Sequence, residues 1–157
     1  MDEIRFTLNG SPAAYAGSAA DRLLDVLRSD YGCTSVKCGC KEGECGACSV
    51  LIDGVLYNSC CVAMGAVEGT DIVTMEGFRE TARFEALSKA FGELSAVQCG
   101  FCIPGMILAA EALLSKNPHP TGEEIRDGLS GNLCRCTGYN AIVNAVENAA
   151  KEGSGLW

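Results

Sequence analysis

The chain has 157 residues, 48% of them hydrophobic and 20% charged, the balance of an ordinary globular protein and not of a disordered chain. Twenty acidic side chains against twelve basic ones give a formal net charge of −8, which argues against nucleic acid as a partner, because gripping phosphates takes Lys and Arg, and against an anionic membrane surface. No apolar stretch approaches a membrane span, and Met1-Asp2-Glu3-Ile4-Arg5 lacks the basic region and apolar run of a secretory signal.

In chain order, Ile4, Phe6 and Leu8 alternate with polar residues and meet Asn9-Gly10, the pattern of a strand entering a tight hairpin. Leu23, Leu24, Leu27 and Tyr31 recur at helical spacing and predict a helix over about 18–30. Asp53-Gly54 marks a second hairpin, flanked by Val50 and Ile52 before and by Val55 and Tyr57 after. A last short strand is predicted over Asp71 to Met75.

Beyond Glu76-Gly77 the strand signals stop. Phe84, Leu87 and Phe91 mark one helix. Pro104 opens a second that runs from Met106 to Leu114, apolar on most sides and therefore expected to be buried. Thr121 and Glu124 have the spacing of a capping box. Ile142, Val143, Val146, Ala149 and Ala150 mark a final helix that Gly153 can stop. The residues thus divide into an α+β unit over 1–78 and a helical unit over 79–157, with charges of −6 and −2.

Eleven cysteines dominate the chemistry. The count is odd, no secretory signal is readable, and four of them crowd into Cys38 to Cys48, so metal in a reducing, cytoplasmic compartment is favoured over disulfides. Cys40-x4-Cys45-x2-Cys48, with Cys60 further on, is the spacing by which plant-type ferredoxins hold a 2Fe–2S cluster. Gly39, Gly43 and Gly46 let such a loop bend and aim N–H groups at sulfur. A zinc site ordinarily pairs one Cys-x2-Cys with another, which this loop does not. Cys99-x2-Cys102 and Cys134-x-Cys136 form a second constellation, each pair preceding a predicted helix whose N-terminus favours thiolate. Spacing alone leaves zinc and iron–sulfur both open there.

Val36-Lys37-Cys38-Gly39-Cys40, Gly43-Glu44-Cys45-Gly46-Ala47-Cys48, Val97-Gln98-Cys99-Gly100-Phe101-Cys102, Pro104-Gly105-Met106 and Gly131-Asn132-Leu133-Cys134-Arg135-Cys136-Thr137-Gly138-Tyr139 together resemble the small iron–sulfur subunit of the molybdenum hydroxylases. This is the xanthine dehydrogenase family, with aldehyde, carbon monoxide and nicotinate dehydrogenases among its members. The resemblance runs from about residue 4 to 150 and implies a β-grasp, ferredoxin-like domain followed by an all-α four-helix-bundle domain. It implies that Cys40, Cys45, Cys48 and Cys60 hold one 2Fe–2S cluster and Cys99, Cys102, Cys134 and Cys136 a second. Gln98 would contact the pterin of a molybdenum cofactor on a large partner subunit. Electrons would enter at the second cluster and leave from the first towards a flavin, an FAD subunit being the expected acceptor.

Two departures from the family pattern stand near these sites. Ile103 replaces a Thr expected to cap the helix, at a cost of about 1 kcal/mol, and Ser49 replaces another Thr. Cys33, Cys38 and Cys61 lie outside the ligand sets and read as small buried hydrophobes. His119 reads as exposed, Lys37 and Arg135 as surface or cluster-neutralising charges, and Trp157 as part of a flexible tail. No group here transforms a substrate, so the chain is expected to act as the iron–sulfur subunit of an oxidoreductase complex. A freestanding two-cluster ferredoxin and a zinc-stapled interaction module are the alternatives.

Overall fold

The computed structural model describes residues 3–157; Met1 and Asp2, the start of the stretch scanned for a signal, lie outside them. Strands β1 (Ile4–Leu8) and β2 (Ser11–Tyr15) pair antiparallel through a turn in which Asn9 and Gly10 both take positive φ, 51° and 77°. Asp53 and Gly54 repeat that turn, at 50° and 78°, between β3 (Ser49–Ile52) and β4 (Val55–Asn58). Both dipeptides match the twist of a two-residue hairpin, which is why the sequence marks them so clearly. β5 (Asp71–Val73) lies between the hairpins, parallel to β1 and antiparallel to β3, and completes a five-stranded sheet of order β2-β1-β5-β3-β4.

Helix α1 (Leu23–Ser29) covers one face of this sheet, burying Leu23, Leu24, Val26 and Leu27 against Ile4, Phe6, Leu8, Val50, Ile52 and Ile72. It is shorter than the periodicity predicts. Asp21 accepts a hydrogen bond from the Ser18 N–H, and Arg22, still extended, bridges to Ala63, so the chain turns helical only at Leu23. Tyr31 lies beyond the helix; its ring meets Phe6 edge-on and its hydroxyl donates to the Ala14 carbonyl at 2.7 Å.

The predicted strand ends early. Asn9 Oδ1 accepts from the Thr74 N–H at 2.8 Å, and Met75–Phe78 close into a single helical turn, α2, instead of extending β5. Helices α3 (Ala82–Glu93), α4 (Ile103–Leu114), α5 (Gly122–Gly128) and α6 (Asn140–Glu152) follow and share a second core. The Thr81 hydroxyl caps α3 at the Phe84 N–H, and Thr121 and Glu124 form the expected capping box on α5. α4 is the central element: it touches α2, α3, α5, β3 and β4, so nearly every side is covered and its uniform apolarity is explained.

β3 joins the two cores. All four of its residues are buried: Val50 and Ile52 face α1, whereas Leu51, with Leu56 and Val73, packs on the helical core. The architecture is α+β, a β-grasp unit followed by a four-helix unit.

The C-terminal residues are also placed. Trp157 packs against the helical core, donates from Nε1 to Glu111 Oε2 at 2.7 Å, and so is not a loose tail. Arg83 donates to Glu111 Oε1 at 2.9 Å and to the Leu156 carbonyl at 2.6 Å, fixing the same segment.

Candidate metal centres

The first thiol group is built by the loop between α1 and β3 and by the first 3-10 turn after β4, Ser59–Cys61. The Ser59 hydroxyl donates to the Cys48 carbonyl at 2.7 Å, and Asn58 Nδ2 donates to the Gly43 carbonyl at 2.8 Å, so the turn and the loop hold each other. Gly43 N–H points at Cys60 Sγ and Glu42 N–H at Cys40 Sγ, both at 3.3 Å. N–H groups of Glu42, Cys45 and Glu44 bring the Cys40 thiol down to about 6, favouring thiolate at neutral pH. Burial pushes Cys48 up to about 11. Cys45 adds to the lowering of the Cys40 thiol and Cys60 to the raising of Cys48.

Two glycines here have separate reasons. Gly39 keeps an ordinary φ and is small because a Cβ would lie 2.7 Å from Cys45 Sγ; it supplies space and not the bend expected of it. Gly46 has φ +68°, and a Cβ there would stand 2.3 Å from the Gly131 carbonyl oxygen. That contact is where the second group's loop meets the first.

The second group lies at the entrance to α4 and in the loop before α6. Cys102 is the N-cap of α4, so Ile103 is the first helical residue and Pro104 the second. The cap that Ile103 was expected to forfeit is therefore not its own. Cys136 Sγ lies 3.5 Å from Cys99 Sγ. Burial, with Cys134 beside it, pushes Cys102 up to about 12. Burial works in the same direction on Cys134, but the Thr137 hydroxyl, 3.0 Å from its sulfur, and nearby N–H groups outweigh it and lower that thiol. The Tyr139 hydroxyl accepts from the Cys134 N–H at 2.9 Å, and Tyr139 itself is left-handed, φ 69°. Cys99, Phe101, Leu133 and Arg135 help line a cleft of about 340 Å³ over these sulfurs.

The residues fit 2Fe–2S centres. Each set is all sulfur, and main-chain N–H groups face the sulfurs. Among the described residues, no three His, Cys, Asp or Glu side chains gather about one point that a single ion could fill. The loops that carry the two sets meet. Leu133 N–H donates to the Cys45 carbonyl at 2.9 Å.

Gln98 is exposed beside Cys99. His119 is exposed, Lys37 half-buried and Arg135 exposed. Cys33 is buried as expected, but Cys38 and Cys61 are exposed, Cys61 lying 3.7 Å from Cys60 across their sulfurs. Their adjacency to the loop keeps them at the surface where a core residue would not reach. Asn132, Thr137 and Tyr139 carry contacts that spacing did not assign, although all three lie in the quoted Gly131–Tyr139 motif.

A β-grasp unit and a helical unit, each with a group of four thiols, define a two-centre iron–sulfur protein. Residues 6–71 match the family model of the 2Fe-2S iron-sulfur cluster binding domain, and residues 74–147 that of a 2Fe-2S binding domain. The chain is 51% identical to the nicotinate dehydrogenase small FeS subunit of Eubacterium barkeri, across 94% of each chain. It is 45% identical to the xanthine dehydrogenase iron-sulfur-binding subunit of Escherichia coli O157:H7, again across 94% of each. The aldehyde oxidoreductase of Desulfovibrio desulfuricans superposes with a TM-score of 0.92 at 41% identity over 99% of this chain, which spans 17% of that longer one. The chain belongs to the family of small iron–sulfur subunits of the molybdenum hydroxylases. It is an iron–sulfur, electron-transfer subunit of an oxidoreductase, a reading favoured over that of a freestanding ferredoxin.

Proposed function

We propose that Cys40, Cys45, Cys48 and Cys60 hold the first 2Fe–2S cluster and Cys99, Cys102, Cys134 and Cys136 the second. Residues 1–78 and 79–157 are then the two domains. Each cluster, when bound, takes up and releases one electron at a time. The remaining work belongs to this chain. Gly43 and Glu42 N–H groups lower the energy of anionic sulfur at one end, and the Thr137 hydroxyl does so at the other.

The single observation that supports a relay is the Leu133 N–H···O=C Cys45 bond, which links a residue beside one thiol set to a member of the other. The second set lies at the exposed end. Val97, Phe101 and Leu133 are 44%, 47% and 54% exposed around it, an apolar face suited to a partner protein. We place the molybdenum subunit there, with Gln98 against its pterin. Electrons then leave from the Cys40/Cys45/Cys48/Cys60 end towards an FAD subunit. The free thiols of both sets suit a reducing, cytoplasmic compartment, and among the described residues no helix is long and apolar enough to cross a membrane.

Two substitutions in the intact complex test this order. Serine is a harder, less readily ionised ligand than cysteine, so each substitution should remove its own cluster. With Cys45→Ser, substrate should still reduce the second centre rapidly while delivery to the acceptor collapses. With Cys136→Ser, substrate should fail to reduce the remaining centre although dithionite succeeds. Rapid-freeze electron paramagnetic resonance separates the two signals. Undiminished reduction of the first centre in a molybdenum-replete Cys136→Ser complex would reject the order.

A further inference from the structure

Asn132 joins the two thiol-bearing loops from inside. It is only 4% exposed, and its Nδ2 donates twice, to the Gly46 carbonyl at 3.0 Å and to Ser49 Oγ at 3.1 Å. Gly46 lies between Cys45 and Cys48; Asn132 lies two residues before Cys134. The Gly46 carbonyl also accepts from the Ser49 hydroxyl at 2.7 Å and the Ser49 N–H at 3.1 Å, so its direction is fixed from three sides. Main chain from a third segment closes on the same point, since a Cβ on Gly105 would stand 2.5 Å from that oxygen. Gly105 is thus buried at this junction and is not part of the outer face.

We propose that Asn132 is a positioning residue for electron transfer between the two centres. Its amide keeps the Cys45 and Cys134 loops at contact, so that the Leu133 N–H···O=C Cys45 bond stays closed. Only one electron crosses, from the second centre to the first; no bond breaks and no proton moves. This rests on the ligand sets proposed above. The chemistry calls for an amide in particular. Both acceptors are oxygen, so the side chain must donate twice, and a carboxylate of the same shape would face the Gly46 carbonyl with like charge. Neither cluster depends on it for a ligand, and Ser49 still closes the local turn without it.

The test uses the intact complex carrying Asn132→Leu, which keeps the branching at Cγ and loses both bonds, Asn132→Asp, which conserves shape and reverses the donor, and Ser49→Ala, which removes one acceptor together with the Ser49 hydroxyl's own bond to the Gly46 carbonyl. Iron per chain is measured first. The magnetic coupling between the two centres is then read in fully reduced protein, with the delay between their reductions after substrate is added. The expected result is unchanged iron, loss of coupling and a lengthened delay in both Asn132 variants, the larger in Asn132→Asp, and a partial loss in Ser49→Ala. Coupling and delay equal to wild type at full iron content would overturn the proposal. Should both Asn132 variants fail to fold, Ser49→Ala decides alone, with wild-type coupling again overturning it. Wild-type protein lacking two distinct signals would instead reject the ligand sets, and the proposal with them.

Discussion

Glu76 shows how a single carboxylate steadies the first loop. It lies in α2, two residues after Thr74, and it accepts from the Ser35 N–H at 2.9 Å, the Ser35 hydroxyl at 2.5 Å and the Thr74 hydroxyl at 2.7 Å. Burial alone would raise its carboxyl, but these hydrogen bonds outweigh it and hold the group below its usual value. The folded state therefore binds this proton less readily than the unfolded chain. The stability it contributes is complete above the ordinary carboxylate range and fades as pH falls through the lowered value. Glu76→Gln should cost about 1–2 kcal/mol at neutral pH, and the difference in melting temperature from wild type should shrink by pH 4. A gap that stays constant from pH 7 to pH 4 would reject this account. Spacing does not reveal the role of this residue, or of Asn132 inside its motif, because Ser35 and Gly46 lie 41 and 86 positions away. The cysteines were legible because cluster chemistry imposes local spacing.

At the scale of elements, hairpins read best. Asn9-Gly10 and Asp53-Gly54 specify a turn by backbone conformation alone, with no help from distant contacts. α4 was legible as buried for the opposite reason: apolar residues on every side state that something must cover it. α2 was misread because Asn9, across the sheet, decides where β5 ends. The final segment was misread for the same reason. Gly153, Ser154 and Gly155 look like a linker, and only the fold shows Glu111 waiting, 6% exposed, for the Trp157 indole. Trp157→Phe keeps an aromatic ring and loses the N–H, leaving Glu111 Oε2 short of a donor. The cost should be about 1.5–3 kcal/mol, as for a hydrogen bond to a charged group, seen as a melting temperature lower by about 3–12 °C. A double-mutant cycle separates this bond from the packing of the ring. Made in a Glu111→Gln background, where the acceptor has lost its charge, Trp157→Phe should cost much less than it does in the wild-type protein. Full additivity of the two substitutions would show that the indole acts through packing alone.

For the molecule as a whole, two outcomes follow. Freshly purified protein should carry four irons and four labile sulfides per chain, one pair of each for each set of four thiols; two irons, or mostly zinc, would contradict both centres. Amides over residues 98–104 and 131–139 should exchange with solvent more slowly in the complex than in the isolated chain, because Phe101 and Leu133 become covered there. Equal exchange would place the molybdenum subunit elsewhere.

The doubly buried strand β3 bears on how the chain is made. Translation delivers β3 roughly fifty residues before α4, a wait of about 2–10 s at ordinary elongation rates. During that interval Leu51, Leu56 and Val73 have no helix to cover them. The nascent β-grasp half is then an apolar sheet open to the ribosome's surroundings, and chaperones that bind such surfaces should engage this chain until Leu114 has emerged. Ribosome-bound chains halted before and after that point would differ in chaperone occupancy.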